Sequence, residues 1–292
     1  MGRKVFQTFN YIFLFMLGIV TLYPFIYFLV LSFNDGQDAI RGGIYFFPRV
    51  FSLENYKMAL NYPHMANAFG VTVMRTAIGT VLSLLLTTAM AYSLVYKDLP
   101  GRTVLIFFFF FTTVFSGGII PSYILMRQLN LINSFWVYVL PLTYDFFNVI
   151  IFRTFFEGIP GSLQEAATID GCGLARIFWK IYLPLSAPVI ATVALFVGVM
   201  HWNDWFQGAF FITRPELKSA ATLLQQILSE ANFEQSEQAM RSGVDMISRQ
   251  RSTTSDSLQM TFVVIITTPI VLVYPFIQRF FVKGVMVGAI KS

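Results

Sequence analysis

The residues that could do chemistry are few, and their spacing excludes most of it. The chain of 292 residues has two histidines, His64 and His201, one cysteine, Cys172, and 15 carboxylates. No G-x-x-x-x-G-K-[ST] occurs, nor any Gly-Lys pair, so the chain has no loop to cradle nucleotide phosphates. Neither H-E-x-x-H nor G-x-S-x-G is present, which removes the usual zinc-hydrolase and serine-nucleophile patterns. One cysteine makes neither an intrachain disulfide nor a thiolate metal site. The sequence therefore offers no catalytic residue and no metal ligand set, and the chain is expected not to be an enzyme.

Recognition chemistry is better represented. Trp202-Asn203-Asp204-Trp205 sets two aromatic faces beside an amide and a carboxylate. Aromatic faces stack on sugar rings, while the polar groups take hydroxyls. Tyr144, Asp145 and Asn148 repeat the combination. Interfacial anchoring is the other reading of these tryptophans, because Trp and Tyr gather at membrane boundaries in any membrane protein. Ionisable residues amid apolar sequence would suit an ion or proton relay. Arg75, Asp145, Arg153 and Asp204 are the candidates, and only Asp145 falls well inside an apolar run.

A third set lies in the stretch EAATIDGCGLARIFWKIYLPLSAP, residues 165–188, which carries Glu165, Asp170, Arg176 and Lys180. Ser162-Leu163-Gln164-Glu165 matches a capping box, so a helix is expected to begin at Ser162. Gly171 and Gly173 would stop it near Asp170. A second helical piece is expected over 174–182, ended by Leu183-Pro184, because Pro disfavours the helical region in the residue before it. Two alanines in mid-helix offer little bulk, which suits insertion into a groove of a partner. Glu165 reads equally as a cap or as a contact.

Composition dictates what positions these residues. The chain is 56% hydrophobic and only 12% charged, with 33 Phe, and its mean hydropathy is +0.65. Average soluble chains carry roughly 25% charged residues. An all-α integral membrane protein is expected. Apolar runs cover 5–34, 76–96, 103–126, 128–152 (interrupted by Asp145), 181–203 and 257–278. Each approaches the roughly 20 residues a membrane helix needs, so six spans are expected, with both termini on one side. The Met-Gly-Arg-Lys start resembles a signal peptide, but the apolar run outlasts one and is read as a retained anchor. Pro24, Pro121, Pro141, Pro269 and Pro275 fall in or near spans and are expected to kink them.

The net charge of +5 contains no Lys/Arg-rich run, which argues against nucleic acid. With the N-terminus inside, Arg3, Lys4, Lys97, Arg102, Arg153, Arg176, Lys180, Arg279, Lys283 and Lys291 face the cytoplasm, ten of the 20 basic residues. These sit in short segments beside helix ends, where the positive-inside rule applies best. The expected organisation is one transmembrane domain over 1–292, extracytoplasmic loops at 34–66 and 212–256, and a cytoplasmic loop at 156–182. Within 212–256, Leu217, Ala220, Ala221, Leu224, Ile227 and Leu228 have helical spacing, giving an apolar face that would dock on a partner or on the chain itself.

The cytoplasmic segment also carries a resemblance. Glu165-Ala166-Ala167, then three residues, Gly171, nine residues, Ile181, one residue and Leu183-Pro184 resembles the EAA loop of binding-protein-dependent ABC importer permeases at each defining position. The chain looks like the second permease subunit of carbohydrate importers, similar to the smaller maltose-permease subunit. FSGGIIPSYIL at 115–125, HWNDWF at 201–206 and YPFIQRFFVKGVMVGAIK at 274–291 look like a subgroup that handles complex oligosaccharides. The resemblance implies a type I ABC importer fold and a coupling helix seated on an ATPase subunit. Ser162, Glu165, Ala166, Ala167, Asp170, Gly171, Ile181, Leu183 and Pro184 would form that coupling element. It further implies a second homologous permease, two copies of a P-loop ATPase that hold ATP and Mg, and an extracytoplasmic solute-binding protein. An ion-coupled secondary transporter or channel is the rival, and a structural scaffold of a membrane complex a third reading.

Overall fold

The computed structural model describes residues 2–39, 41–241 and 257–275. Their regular structure is helical, apart from one isolated antiparallel bridge, Asn34 to Phe51. Three helices are long and apolar enough to cross a membrane alone: α1 (Gly2–Ser32), α2 (Met65–Val95) and, later in the chain, Ser257–Pro275. Three more spans are bent pairs. The first is α3 (Arg102–Val114) with α4 (Ile119–Gln128), bent by 115°. The second joins Phe135–Leu142 to α5 (Phe146–Glu157) at 49°, and the third joins Leu174–Leu185 to α7 (Ala187–Asn203) at 81°, with α6 (Gly161–Ile169) between them in the chain. Counting each pair as one gives six spans.

The breaks have local causes. Gly118 between α3 and α4 has φ 83° and ψ −178°, a region open essentially to glycine alone. Pro121 and Pro141 sit at the starts of the helical pieces beside their breaks, whereas α1 continues through Pro24 and Ser257–Pro275 through Pro269. The run expected at 76–96 in fact starts at Met65. Arg75 ended the uncharged run but not the helix.

The chain divides into two units, residues 1–66 with 223–269, and residues 67–222 with 270–292. In the first, α1 is almost wholly exposed along its length, as a helix facing lipid or a partner would be. The segment after it, expected as an extracytoplasmic loop, is tied down by hydrogen bonds. The Asn34 side-chain oxygen accepts the Arg49 and Val50 amides at 2.8 and 3.1 Å. The Asn55 amide donates to the Ser32 and Asn34 carbonyls at 3.3 and 2.8 Å, serving carbonyls that the end of α1 leaves open. Ile44 is buried against Val30 and Leu31.

In the second unit, one apolar core joins α2, α5, α6 and α7. Val149, Phe152 and Phe156 on α5 and Val189, Val193 and Val197 on α7 recur at helical spacing and are buried there with Tyr92, Ala167, Phe178 and Tyr182. A smaller core gathers Val137, Tyr138, Val139, Phe211 and Ile212. α8 (Ala220–Arg241), whose residues from 223 on belong to the first unit, falls on the helical segment expected over 216–240, with Ala220, Ala221 and Leu223 buried, while Leu217 belongs to a preceding turn. The stretch 276–291, part of the resemblance, lies outside the described residues, as does 242–256.

Candidate functional site

α6 starts at Gly161, one residue before the expected start, with Pro160 as its flanking residue and no side-chain cap. The capping box is therefore not formed. Ser162 lies inside the first turn, and Glu165 is exposed, its carboxylate making no hydrogen bond among the described residues. Freed from capping, its carboxylate faces outward with Ser162, Ala166 and Asp170, while Ala167 turns into the core.

The end of α6 is as expected at one glycine and not at the other. Gly171 has φ 75°, and its amide donates to the Thr168 carbonyl at 3.0 Å. The Cys172 amide donates to the Ala167 carbonyl at 2.9 Å, which completes a Schellman motif. Cys172 and Ala167 meet in the same apolar core, the contact that usually accompanies this motif. Gly173 instead has φ −72° and precedes the next helical piece in extended conformation.

The following segment corrects a second expectation. Leu183-Pro184 does not end the helix. Leu174–Ile177 is α-helical, Phe178–Tyr182 widens to π geometry, and Leu183–Leu185 continues as α-helix. The wider turn accommodates the missing Pro184 N–H, and the break comes at Ser186, whose hydroxyl donates to the Tyr182 carbonyl at 2.7 Å. Ile181 and Leu183 pack partly buried on the core just before this bend, while Pro184 is exposed.

Aromatic residues hold the element, and no sequence pattern announced them. The Tyr182 hydroxyl donates to the Gln164 side chain at 2.8 Å, tying α6 to the bend. The Tyr182 ring packs on Phe156 and Tyr92 at 5.3 and 4.8 Å. The Tyr92 hydroxyl donates to the Leu174 carbonyl at 3.1 Å. A cleft of about 460 Å³, lined by Tyr92, Tyr96, Asp98, Leu174 and Phe178 among others, opens beside it. Ile169, which the sequence reading passed over, is 86% exposed on α6.

The sugar-type residues separate into two settings. Tyr144 packs on the apolar core, and its hydroxyl donates to the Phe109 carbonyl at 3.3 Å. Asp145 caps α5 by accepting the Phe147 amide at 3.0 Å, and the buried Asn148 donates to its other oxygen at 3.2 Å. All three have structural employment here. Trp202, Asn203, Asp204 and Trp205 lie where α7 ends and the short helix Phe206–Phe211 begins. Asn203 and Trp205 are exposed, and Trp202 and Asp204 partly buried.

Asp204 is paired with Arg75, which was expected near a span end. The Arg75 side chain is fully buried, ten residues inside α2. It donates to the Asp204 carboxylate at 2.5 Å and to the Asp204 carbonyl at 2.8 Å, and stands 4.4 Å over the Tyr138 ring. His201, one turn back on α7, is also fully buried, and a Cβ on Gly79 would collide with its ring. Arg153 pairs with Glu157 at 2.9 Å, a residue Arg102 also approaches at 3.7 Å. The four relay candidates are thus caps or ion pairs within the fold. Among the described residues, no cluster of His, Cys, Asp and Glu could hold a metal ion.

Residues 89–287 match the family described as "Binding-protein-dependent transport system inner membrane component". The chain belongs to this family. It is a multi-pass inner-membrane component of a transport system and not itself an enzyme. Protein LplC of Bacillus subtilis (strain 168) is 36% identical over 299 residues, covering 99% of this chain and 96% of that one. The polygalacturonan/rhamnogalacturonan transport system permease protein YtcP of the same strain is 36% identical over 292 residues, covering all of both. Among solved structures, a chain of a bacterial ABC transporter involved in the import of the acidic polysaccharide alginate superposes with a TM-score of 0.85. It is 26% identical, with 96% of this chain and 98% of that one covered. Membership replaces the ion-coupled and scaffold readings.

Proposed function

We propose that the chain is one of two related permease subunits of an ATP-driven importer for an oligosaccharide or polysaccharide fragment. Its partners are a second homologous permease, two copies of a P-loop ATPase carrying ATP and Mg, and an extracytoplasmic solute-binding protein. The observation that carries the reading is α6. It is a short helix closed by a left-handed glycine, anchored from behind by Tyr92, Phe156 and Tyr182, with Ser162, Glu165, Ala166, Ile169 and Asp170 left bare. Such an element suits a groove on a partner and, through Ile181, Leu183 and Pro184, leads directly into the bend at Ser186. Closure of an ATPase dimer on α6 would then move α7. For coupling, ATP must favour one arrangement of these helices over the other.

The sugar class is supported by the relatives' names: polygalacturonan and rhamnogalacturonan for YtcP, arabinooligosaccharides for AraQ of B. subtilis, which is 23% identical, and alginate for the structural match. The exposed Asn203 and Trp205 supply an amide and an aromatic face for such a cargo.

Gentle detergent purification of the tagged chain tests the reading. Co-purification of a P-loop ATPase and a second multi-span protein is expected. Recovery alone or as a homo-oligomer in every detergent would refute it. The orientation, with α6 cytoplasmic, is checked separately: a cysteine replacing Glu165 in a Cys172→Ser background should resist an impermeant thiol reagent in intact cells. Labelling would reverse the topology.

A further inference from the structure

The turn between α7 and Phe206–Phe211 is braced from behind at three points. The Arg75 guanidinium grips both the carbonyl and the carboxylate of Asp204, at 2.8 and 2.5 Å. The other Asp204 oxygen accepts the Phe206 amide at 3.2 Å, an Asx turn that leads into the next helix. The Trp205 carbonyl accepts from the Thr222 hydroxyl at 3.1 Å. Gly208 fits where any Cβ would collide with Thr222 and come within 2.7 Å of the Tyr138 hydroxyl. On the other side, Asn203 stays exposed, and Trp205, whose ring packs against Phe206 and Phe210, keeps 40% of its surface open. A fully buried arginine in a membrane span is a costly way to hold a turn. The cost makes sense where the turn's geometry matters.

We propose that Arg75 is a positioning residue of the translocation path: it fixes the Asp204-Trp205 turn so that Asn203 and Trp205 face the passing sugar. Asp204 is then withdrawn from sugar contact, because its carboxylate is committed to Arg75 and to the Phe206 amide. A guanidinium suits the task because its planar fork reaches a carbonyl and a carboxylate at once, which an ammonium cannot do in fixed geometry. The inference rests on the sugar-permease reading.

The test uses the whole complex with its binding protein, reconstituted in vesicles. The probe is an oligogalacturonide and rhamnogalacturonan fragment mixture, with the wild type as reference. Absence of a co-purifying ATPase or of uptake by the wild type would count against the permease and sugar reading, independently of Arg75. Arg75→Gln/Asp204→Asn removes both charges and leaves neither orphaned. Per assembled complex, its sugar uptake should fall about ten-fold or more, since small misplacements of contact groups are that costly. ATP hydrolysis stimulated by the loaded binding protein should persist. A merely structural role would lower uptake and hydrolysis together, and that result, or wild-type uptake, overturns the proposal. If the double variant fails to assemble, Asn203→Ala/Trp205→Ala decides, because the hydrogen bonds that hold the turn come from Arg75, the Phe206 amide and Thr222 and not from these two side chains. Loss of uptake supports the proposal, and wild-type uptake overturns it.

Discussion

α6 and the turn at Asp204 are both short segments held in place so that a few residues stay bare, but they are held by opposite means. α6 rests on rings: Tyr92, Phe156, Phe178 and Tyr182 form its support, and its charged residues point away. The Asp204 turn rests on a buried charge, Arg75, reached across 129 residues of sequence. Ring packing depends less on exact angles than an ion pair does, which would let α6 shift with a partner on the proposed function. A guanidinium fork is directional and fails when displaced. On the proposed function, the element that would transmit motion rests on aromatic packing, and the one that would present a fixed surface rests on an ion pair.

The comparison breaks most sharply at Gly171. Its φ of 75° is closed to proline, whose ring holds φ near −65°, and its amide donates to Thr168. Gly171→Pro should cost about 3 kcal/mol or more locally and abolish both ATPase co-purification and transport. Membrane insertion should remain. Normal transport would remove α6 from the coupling role.

Neutralising one partner of the buried pair comes next. Arg75→Gln or Asp204→Asn alone leaves a charge or a polar fork buried without its mate, which costs about 3–5 kcal/mol. The thermal midpoint of the purified complex should fall clearly for each single variant and less for the double. A double variant less stable than either single would contradict pairing as the source of the effect. Gly79→Ala tests the same region sterically. The added methyl meets the His201 ring, and overpacking of this kind costs about 1–3 kcal/mol.

These contrasts also explain what the sequence made legible. The α6 element was readable because its signals are local: EAA, Gly171 and Leu183-Pro184 fall within one short stretch. Even there the box at Ser162 and Glu165 failed, because Pro160 starts the helix without a side-chain cap and leaves Glu165 for other use. Local propensity also misjudged Pro184, since a π turn upstream absorbs it. The support of the outer turn was not readable. Arg75 interrupts the α2 run, so charge counting moved the helix start to 76 and placed the residue at a boundary. Its partner 129 residues away removes that penalty, and no periodicity signals such a partner. Asp145 shows the converse: a carboxylate in an apolar run that looked like a relay is the cap of α5.

Ile169 probes the bare face of α6 alone. It is 86% exposed, so Ile169→Glu should leave the melting of the isolated chain unchanged. Burial of an isoleucine against a partner contributes about 1.5–3 kcal/mol, so ATPase retention in detergent should weaken by about ten-fold or more. Undiminished retention would place the partner's groove elsewhere on α6.

The smallest effect belongs to the tie between α6 and its support. Tyr182→Phe deletes the hydroxyl that donates to Gln164 and leaves the ring against Phe156 and Tyr92. One net hydrogen bond contributes about 0.5–1.5 kcal/mol, so assembly should survive with a slightly lower thermal midpoint. If rings alone fix α6, transport per ATP hydrolysed will match the wild type. If the hydroxyl fixes the angle between α6 and the bend at Ser186, hydrolysis will continue while transport per ATP falls. That second result would show that the adaptable support has one directional contact of its own, placed where motion passes from α6 toward α7.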